Sequence, residues 1–290
     1  MSGERNISHP YEGRTVVLAT KHQKDRVLGP PLRAAVGLKM RVPDGLDTDL
    51  LGTFSGEVER HGTPREVALR KAHLGMDATG EDLGLASEGS FGPHPQWLVV
   101  PANHELLAFI DATRNIEVIQ QTISLQTNWA QAAARTIDDL KDFLAKVQFP
   151  SHGLIVRPHS GLQPERLFKG ITDLTVLQGV VLQCALASED GLAHVESDMR
   201  AHMNPTRQKV LQEVAMNLGR RLATLCPKCR TPGWGLVDVV KGLPCEWCGE
   251  PTDLVFEEIQ GCPLCDYQEH YPRSDSLRLA PAARCSWCNP

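Results

Sequence analysis

Eight of the nine cysteines lie after Leu225, in four pairs of one form: Cys226/Cys229, Cys245/Cys248, Cys262/Cys265 and Cys285/Cys288. No other feature limits the fold so tightly. A C-x-x-C pair offers two thiolates to one metal from a single tight turn. Gly or Pro beside the pairs ("CPKC", "LPCEWCGEP", "GCPLC", "CNP") suits such turns. The spacings run C-x2-C-x15-C-x2-C and then C-x2-C-x19-C-x2-C. Two tetrahedral zinc ions, each held by four sulfurs, are therefore expected. Both sites are closed and structural, with no open position for water or substrate. A tail this small cannot bury a sufficient core alone, and metal binding supplies on the order of 10–16 kcal/mol per site. Redox dithiols would require a thioredoxin-like setting that the tail lacks. Sequential pairing, first pair with second and third with fourth, closes the shorter loops and is the expected order. Cross-bracing, first with third and second with fourth, is the rival.

The cysteines also divide the chain into a flexible N-terminus (1–13), a body (14–222) and a double zinc-ribbon domain (223–290). Cys184 stands apart among apolar residues and reads as packing. From Ala223 to Pro290 there are six Lys/Arg against nine Asp/Glu, and each Zn(Cys)4 centre adds about −2. Phosphate contacts need the opposite sign, so the tail is a poor nucleic-acid binder. Trp234, Trp247, Tyr267 and Trp287 are expected to pack the ribbons, with contact to a protein partner as the other use. The whole chain carries a net −5 with 41% hydrophobic and 22% charged residues, the balance of a soluble globular protein. "MSGERNISHPYEGR" lacks the apolar run of a signal peptide, and no segment is apolar for long enough to span a bilayer. A cytoplasmic protein with no membrane partner is expected.

The body reads as α/β, a mixed sheet with an antiparallel meander and flanking helices. "RTVVLAT" is a buried strand, "PPLRAAVG" a short helix with Pro at its start, and "LKMRVP" a second strand. "GTPREVALRKAHLGM" opens a helix with Thr63 as N-cap, Pro64 at N1 and Glu66 completing a capping box, so that Val67, Leu69 and Leu74 face a sheet. "DLGLASE", "QWLVVP", "ELLAFID" and "IEVIQQTIS" follow closely enough for a four-strand meander. "NWAQAAARTIDDLKDFLAKV" has the pattern of an amphipathic helix capped by Thr127 or Asn128. "HGLIVRP" and "GLAHVES" are strands, "TDLTVLQGVVLQCALAS" a buried helix, and a last helix runs from Pro205 to Leu225.

Three polar clusters follow strands, where α/β sheets bind ligands. Thr20, Lys21, His22 and Lys24 suit a phosphate or carboxylate. "ASEGSFGPHP" places Glu88 at a strand end, before glycines that allow close backbone approach; such a carboxylate suits Mg2+, which takes one or two carboxylates plus substrate phosphates. "DMRAHMNPTR" is the densest. Asn204 and Pro205 are explained as the cap and N1 of the last helix. Asp198, Arg200, His202 and Arg207 are not, and arginines beside a helix N-terminus make an anion site.

A resemblance rests on these stretches. "ATKHQKD", "GTFSGEVER", "ASEGSFGPHP", "TNW", "DMRAHMNPTR" and "CPKC…PGWG" together look like an uncharacterised bacterial family classed as a domain of unknown function. About the first 125 residues are also distantly similar to the inosine/xanthosine triphosphate pyrophosphatases. "VVLATKHQK" resembles their strand and Thr–Asn–x–x–Lys phosphate loop, which implies a phosphate role for Lys24. "REVALRKAHLG" resembles their Ala-rich basic helix. "LGLASEGSFG" followed by "QWLVV" resembles their acidic turn, implying a metal carboxylate at Glu88. The loop is one residue shorter than theirs, with Lys21 and His22 in place of the Asn, and the closing Ser-His-Arg is absent.

Two readings follow. In the first, the chain is a Mg2+-dependent phosphohydrolase acting on a nucleotide-like phosphate ester. Lys24 with Arg200 or Arg207 holds phosphate, and Glu88, with Asp198, holds the metal. In the second, it is a non-enzymatic sensor of an anionic small molecule whose zinc tail contacts a protein.

Overall fold

A computed structural model describes residues 9–20, 23–46, 62–94, 99–161 and 164–289. The apolar run that opens the body forms β1 (Thr15–Ala19), buried from Val16 to Ala19. The chain crosses one face as α1 (Asp25–Val36) and returns as β2 (Lys39–Arg41), parallel to β1. It then crosses the other face as α2 (Pro64–Thr79) and enters β3 (Leu83–Pro93), parallel to β1 on the opposite side. β4 (Pro101–Asp111) and β5 (Ile116–Ser124) complete an antiparallel meander, so the order is β2-β1-β3-β4-β5. The strand order thus reverses at β1.

Side-chain alternation separates the two faces of this sheet. Leu83, Leu85, Leu107, Phe109 and Val118 pack with Leu28, Leu32 and Val36 of α1 and with Leu211, Val214 and Leu218 of α5 (Pro205–Ala223). On the other face Ala68, Ala72 and Met76 of α2 meet Ala86, Leu106, Ala108 and Ile110. A second core lies behind an antiparallel sheet of order β6-β9-β7-β8. Its strands are β6 (Gln131–Ala134), β7 (Leu154–Pro158), β8 (Phe168–Ile171) and β9 (Ala193–Ser197). α3 (Lys141–Lys146) precedes β7, and α4 (Leu174–Ala187) packs Leu177, Val181 and Cys184 into this core. The tail is a three-stranded antiparallel sheet: β10 (Gly235–Lys241), β11 (Val255–Gly261) and β12 (Gln268–Pro272). Among the described residues no helix is long and apolar enough to cross a membrane.

The mixed α/β class and the Thr63 capping box match the sequence reading. Five local expectations do not. The meander has three strands, because β3 continues through the Gly- and Pro-rich stretch to Pro93 and pairs with β4 along its whole length. Pro93 and Pro101 face each other at the ladder's last step, where missing N–H groups cost least. Of "QWLVVP", residues 96–98 lie outside the described chain and Val99 and Val100 form a turn. α1 begins at Asp25, with Pro30 and Pro31 inside it. The Ala-rich stretch is not one helix: Ala134 is buried in β6, and the helical turns start only after Thr136, which forms its own capping box with Asp139. Asn128 instead donates to Val147 O at 3.1 Å. Leu74 is 40% exposed while Lys71 faces the sheet, and α4 is buried on one side only, Leu186 being 80% exposed.

Candidate functional site

β1 pairs with β3 no further than Ala19 opposite Ala86, so from Ser87 onward β3 runs past the end of its neighbour. Lys24, at the start of α1, fills this step. Its side chain does not cap the helix but donates from Nζ to Ser87 Oγ at 2.7 Å, and it is 6% exposed. The next residue, Glu88, points to the α2 face, where Lys71 Nζ donates to its Oε1 at 2.5 Å. Glu105 points to the α5 face, and Arg207 grips it with two bonds, Nε to Oε1 at 2.7 Å and Nη2 to Oε2 at 3.2 Å. Arg207 Nη1 donates to Met199 O at 2.5 Å, and the guanidinium lies 5.1 Å over the Phe91 ring. Gly89 is required for this packing. A Cβ there would fall 2.6 Å from Arg207 Nη2 and 2.7 Å from Glu105 Oε2.

Three cations, Lys24, Lys71 and Arg207, and two carboxylates, Glu88 and Glu105, are thus buried on the two faces of the sheet beyond the end of β1. Burial, then the charge of Arg207, lower the Lys24 pKa to about 7, against the opposing pull of Glu105 and Glu88. Two residues along β4 from Glu105, Asn103 is 1% exposed, and among the described residues neither atom of its amide has a hydrogen-bond partner. It stands opposite Phe91 in the ladder. A buried, unsatisfied amide of this kind costs about 1–3 kcal/mol and calls for an explanation.

The first two sequence clusters meet here through Lys24 and Glu88, and the third contributes Arg207. Thr20 directly follows β1; Lys21 and His22 lie outside the described residues. The rest of the third cluster turns toward the second sheet. Arg200 closes on Asp198, Nε to Oδ1 at 3.0 Å and Nη2 to Oδ2 at 2.6 Å, and the Asp198 backbone N–H donates to Gly153 O. Gly170 of β8 sits beside Arg200 Nη2. Burial and the Arg200 charge lower the His202 pKa. Asn204 caps α5, accepting from Arg207 N at 2.9 Å, while its Nδ2 donates to Asn128 Oδ1 at 2.8 Å and to Asp198 O at 3.2 Å. It thus fixes the helix that carries Arg207 and joins the two sheets.

In the tail the thiols gather as Cys226, Cys229, Cys262 and Cys265, and as Cys245, Cys248, Cys285 and Cys288. The pairing is cross-braced, which overturns the sequential expectation. The reason is strand direction. The first knuckle precedes β10 and the third follows β11, so antiparallel pairing of Gly235 with Gly261 brings them to one end. The second follows β10 and the fourth comes after β12, which places them at the other end. The longer loop is a small obstacle, since closure costs only about 0.6 kcal/mol per doubling of length. Sulfur–sulfur separations are 3.8 and 3.5 Å in the first group and 3.9 and 3.6 Å in the second. A zinc tetrahedron with bonds of about 2.3 Å has edges of about 3.8 Å, so both groups fit the ion. Backbone N–H groups of Leu264 and Cys265 point at Cys262 Sγ, and that of Trp247 at Cys245 Sγ, as expected around thiolates.

Sequence reasoning missed Lys71, Ser87, Phe91, Asn103 and Glu105. Lys71 and Glu105 carried a signal, each being a charge at a core-facing position of an otherwise apolar pattern. Ser87 and Asn103 carried none. Among the aromatics, Trp234 is 5% exposed and stacks on Tyr267 at 5.6 Å, packing the tail as expected. Trp247 and Trp287 are 76% and 78% exposed and do not.

A family model described as a domain of unknown function (DUF6671) matches residues 71–290, which include Glu88, Glu105, Arg207 and all eight paired cysteines but not Lys24. No curated protein matches the chain.

Proposed function

The chain belongs to the DUF6671 family, and we propose that it is a Mg2+-dependent phosphohydrolase acting on a nucleotide-like phosphate ester in the crevice beyond β1. The observation that carries this reading is the buried cluster of Lys24, Lys71, Arg207, Glu88 and Glu105 at the point where strand order reverses, the place where open α/β sheets bind ligands. Among the described residues, three cations stand there against two carboxylates. Lys24 can give up its proton, as its pKa of about 7 allows, or keep it against a bound anion. The unsatisfied Asn103 amide is a second sign that a polar group completes the site.

In this reading Lys24 binds phosphate and Ser87 orients it. Lys71 holds the Glu88 carboxylate, which would bind Mg2+. The ion would neutralise charge on the transferring phosphoryl group and lower the pKa of a bound water. Arg207, with all three guanidinium nitrogens occupied by Glu105 and Met199 O, acts as a fixed positive field rather than as a mobile phosphate ligand. Asn204 works through Arg207 by fixing the start of α5. Arg200 is committed to Asp198.

The test is a panel of nucleoside di- and triphosphates, inosine and xanthosine forms included, followed for phosphate and pyrophosphate release with and without added Mg2+. Omitting the ion is preferable to chelation, which would also attack the tail. Turnover that needs Mg2+ and disappears in Glu88→Gln and Lys24→Ala is expected. Full activity in Glu88→Gln would remove that carboxylate from the mechanism. Binding without turnover across the panel would favour the sensor.

A further inference from the structure

The two metal groups of the tail differ in the residues between their paired cysteines. The residue just before the second cysteine of each knuckle is Lys228 and Leu264 in the first group, but Trp247 and Trp287 in the second. The sequences C-E-W-C and C-S-W-C thus place a tryptophan at the same step of both turns around one centre. Neither ring is used for packing. The first group shows the contrast. Its neighbouring aromatic, Trp234, is buried, and at Gly233 beside it a Cβ would fall 2.8 Å from Val118 of the body and 3.1 Å from Pro263. Arg221 adds bonds to Gly233 O and Ile119 O. The first group is built into the molecule, and the second presents its aromatic rings to solvent.

The field around those rings is negative. Glu246 and Glu250 belong to the same turn and are exposed, and Asp253 is balanced by Arg284 at 2.8 Å. Four thiolates around a divalent ion add about −2. A tryptophan face attracts a cation through its quadrupole, and arginine more often than lysine because its planar guanidinium also stacks. We propose that Trp247 and Trp287, with Glu246 and Glu250, form a binding surface for an arginine-bearing segment of a partner polypeptide. Tryptophan pairs also stack nucleic-acid bases, but the phosphates would meet a surface of their own sign.

The experiment uses the full-length, zinc-loaded protein and a labelled ten-residue peptide with two arginines. Its lysine and citrulline analogues and an oligothymidine of similar length serve as comparisons. Citrulline keeps the planar shape and removes the charge. The expected result is binding of the arginine peptide, weaker binding of the lysine form and loss with citrulline. Trp247→Ala/Trp287→Ala should weaken the arginine complex by about tenfold, two exposed cation–π contacts being removed. Zinc content should stay at two per chain, which separates lost contact from lost folding. Glu246→Gln/Glu250→Gln should weaken it severalfold and flatten its salt dependence. Equal affinity in the tryptophan variant would overturn the proposal. So would tryptophan-dependent binding of oligothymidine tighter than of peptide, or self-association by light scattering that the variant abolishes, which would make a second copy the occupant.

Discussion

The tail and the crevice of the body solve opposite problems with charged groups. In the tail, eight thiols meet in two groups at the two ends of a small sheet, and their separations match a tetrahedral ion. A metal held by each group would serve as the core. In the crevice, five charged side chains meet inside a body that already has apolar cores on both faces of its sheet. There burial is complete before the charges are counted, and each ion pair must offset its own desolvation. Charges that create a fold have to be placed by local spacing. Charges that a fold merely tolerates can come from anywhere in the chain, and are retained for what they do.

The strongest way to break this contrast is to strip the zinc. With on the order of 10–16 kcal/mol per site removed, the tail should unfold while the body keeps its circular dichroism. Purified protein should carry two zinc ions per chain, and a stoichiometry near zero or one under reducing, metal-replete conditions would defeat the two-site reading. Cross-bracing sharpens the same experiment. Cys226→Ser should release one zinc and expose Cys262 and Cys265 to alkylation while leaving Cys245 and Cys248 protected. Sequential pairing predicts the reverse.

That contrast also sets what could be read from the sequence. The C-x-x-C turns are local, so ligand identity was plain, but the partner of each turn depends on strand direction, which loop length does not reveal. The capping box at Thr63 and the buried run of β1 are local as well, and were legible. The crevice is not local. Lys24 and Ser87, or Glu105 and Arg207, come together only after β3 has crossed beside β1 and α5 has packed on β4. The glycines and prolines of "SEGSFGPHP" looked like a loop because their β-propensity is poor. As far as Pro93 they continue β3, and Gly89 lets the Arg207–Glu105 pair approach the backbone. Tertiary packing outweighed propensity at that point.

Within the body the largest effect should come from that pair. Glu105→Ala takes both carboxylate bonds from the buried Arg207 guanidinium, and should cost about 3–5 kcal/mol in urea unfolding. A loss below about 1 kcal/mol would mean that water reaches the pair. Asn204→Ala comes next, at about 2 kcal/mol, because it removes the cap of α5 and also strands Asn128 Oδ1. Asn204→Asp separates the two roles, since it keeps the capping oxygen and loses the donor. It should recover roughly half of the loss if both count.

The smallest effect belongs to Lys24, and it tests whether the crevice differs from an ordinary buried cluster. An unfolded chain keeps a lysine proton up to about pH 10.4. The folded chain releases it near pH 7, chiefly because burial disfavours the ammonium and Arg207 repels it. Between those values the unfolded state binds the extra proton, so stability rises with pH above about 7 and is level below it. From pH 6.5 to 7.5 the contribution is about 0.7 kcal/mol, present in wild type and absent in Lys24→Met. An anion held by Lys24 would keep the ammonium charged. A saturating nucleoside triphosphate that binds there should therefore abolish the wild-type slope across this window and be taken up with a proton, which calorimetry in buffers of different ionisation enthalpy would register. If the ligand binds and the slope persists, Lys24 is not its partner, and its lowered pKa reflects burial and the Arg207 charge rather than a ligand site.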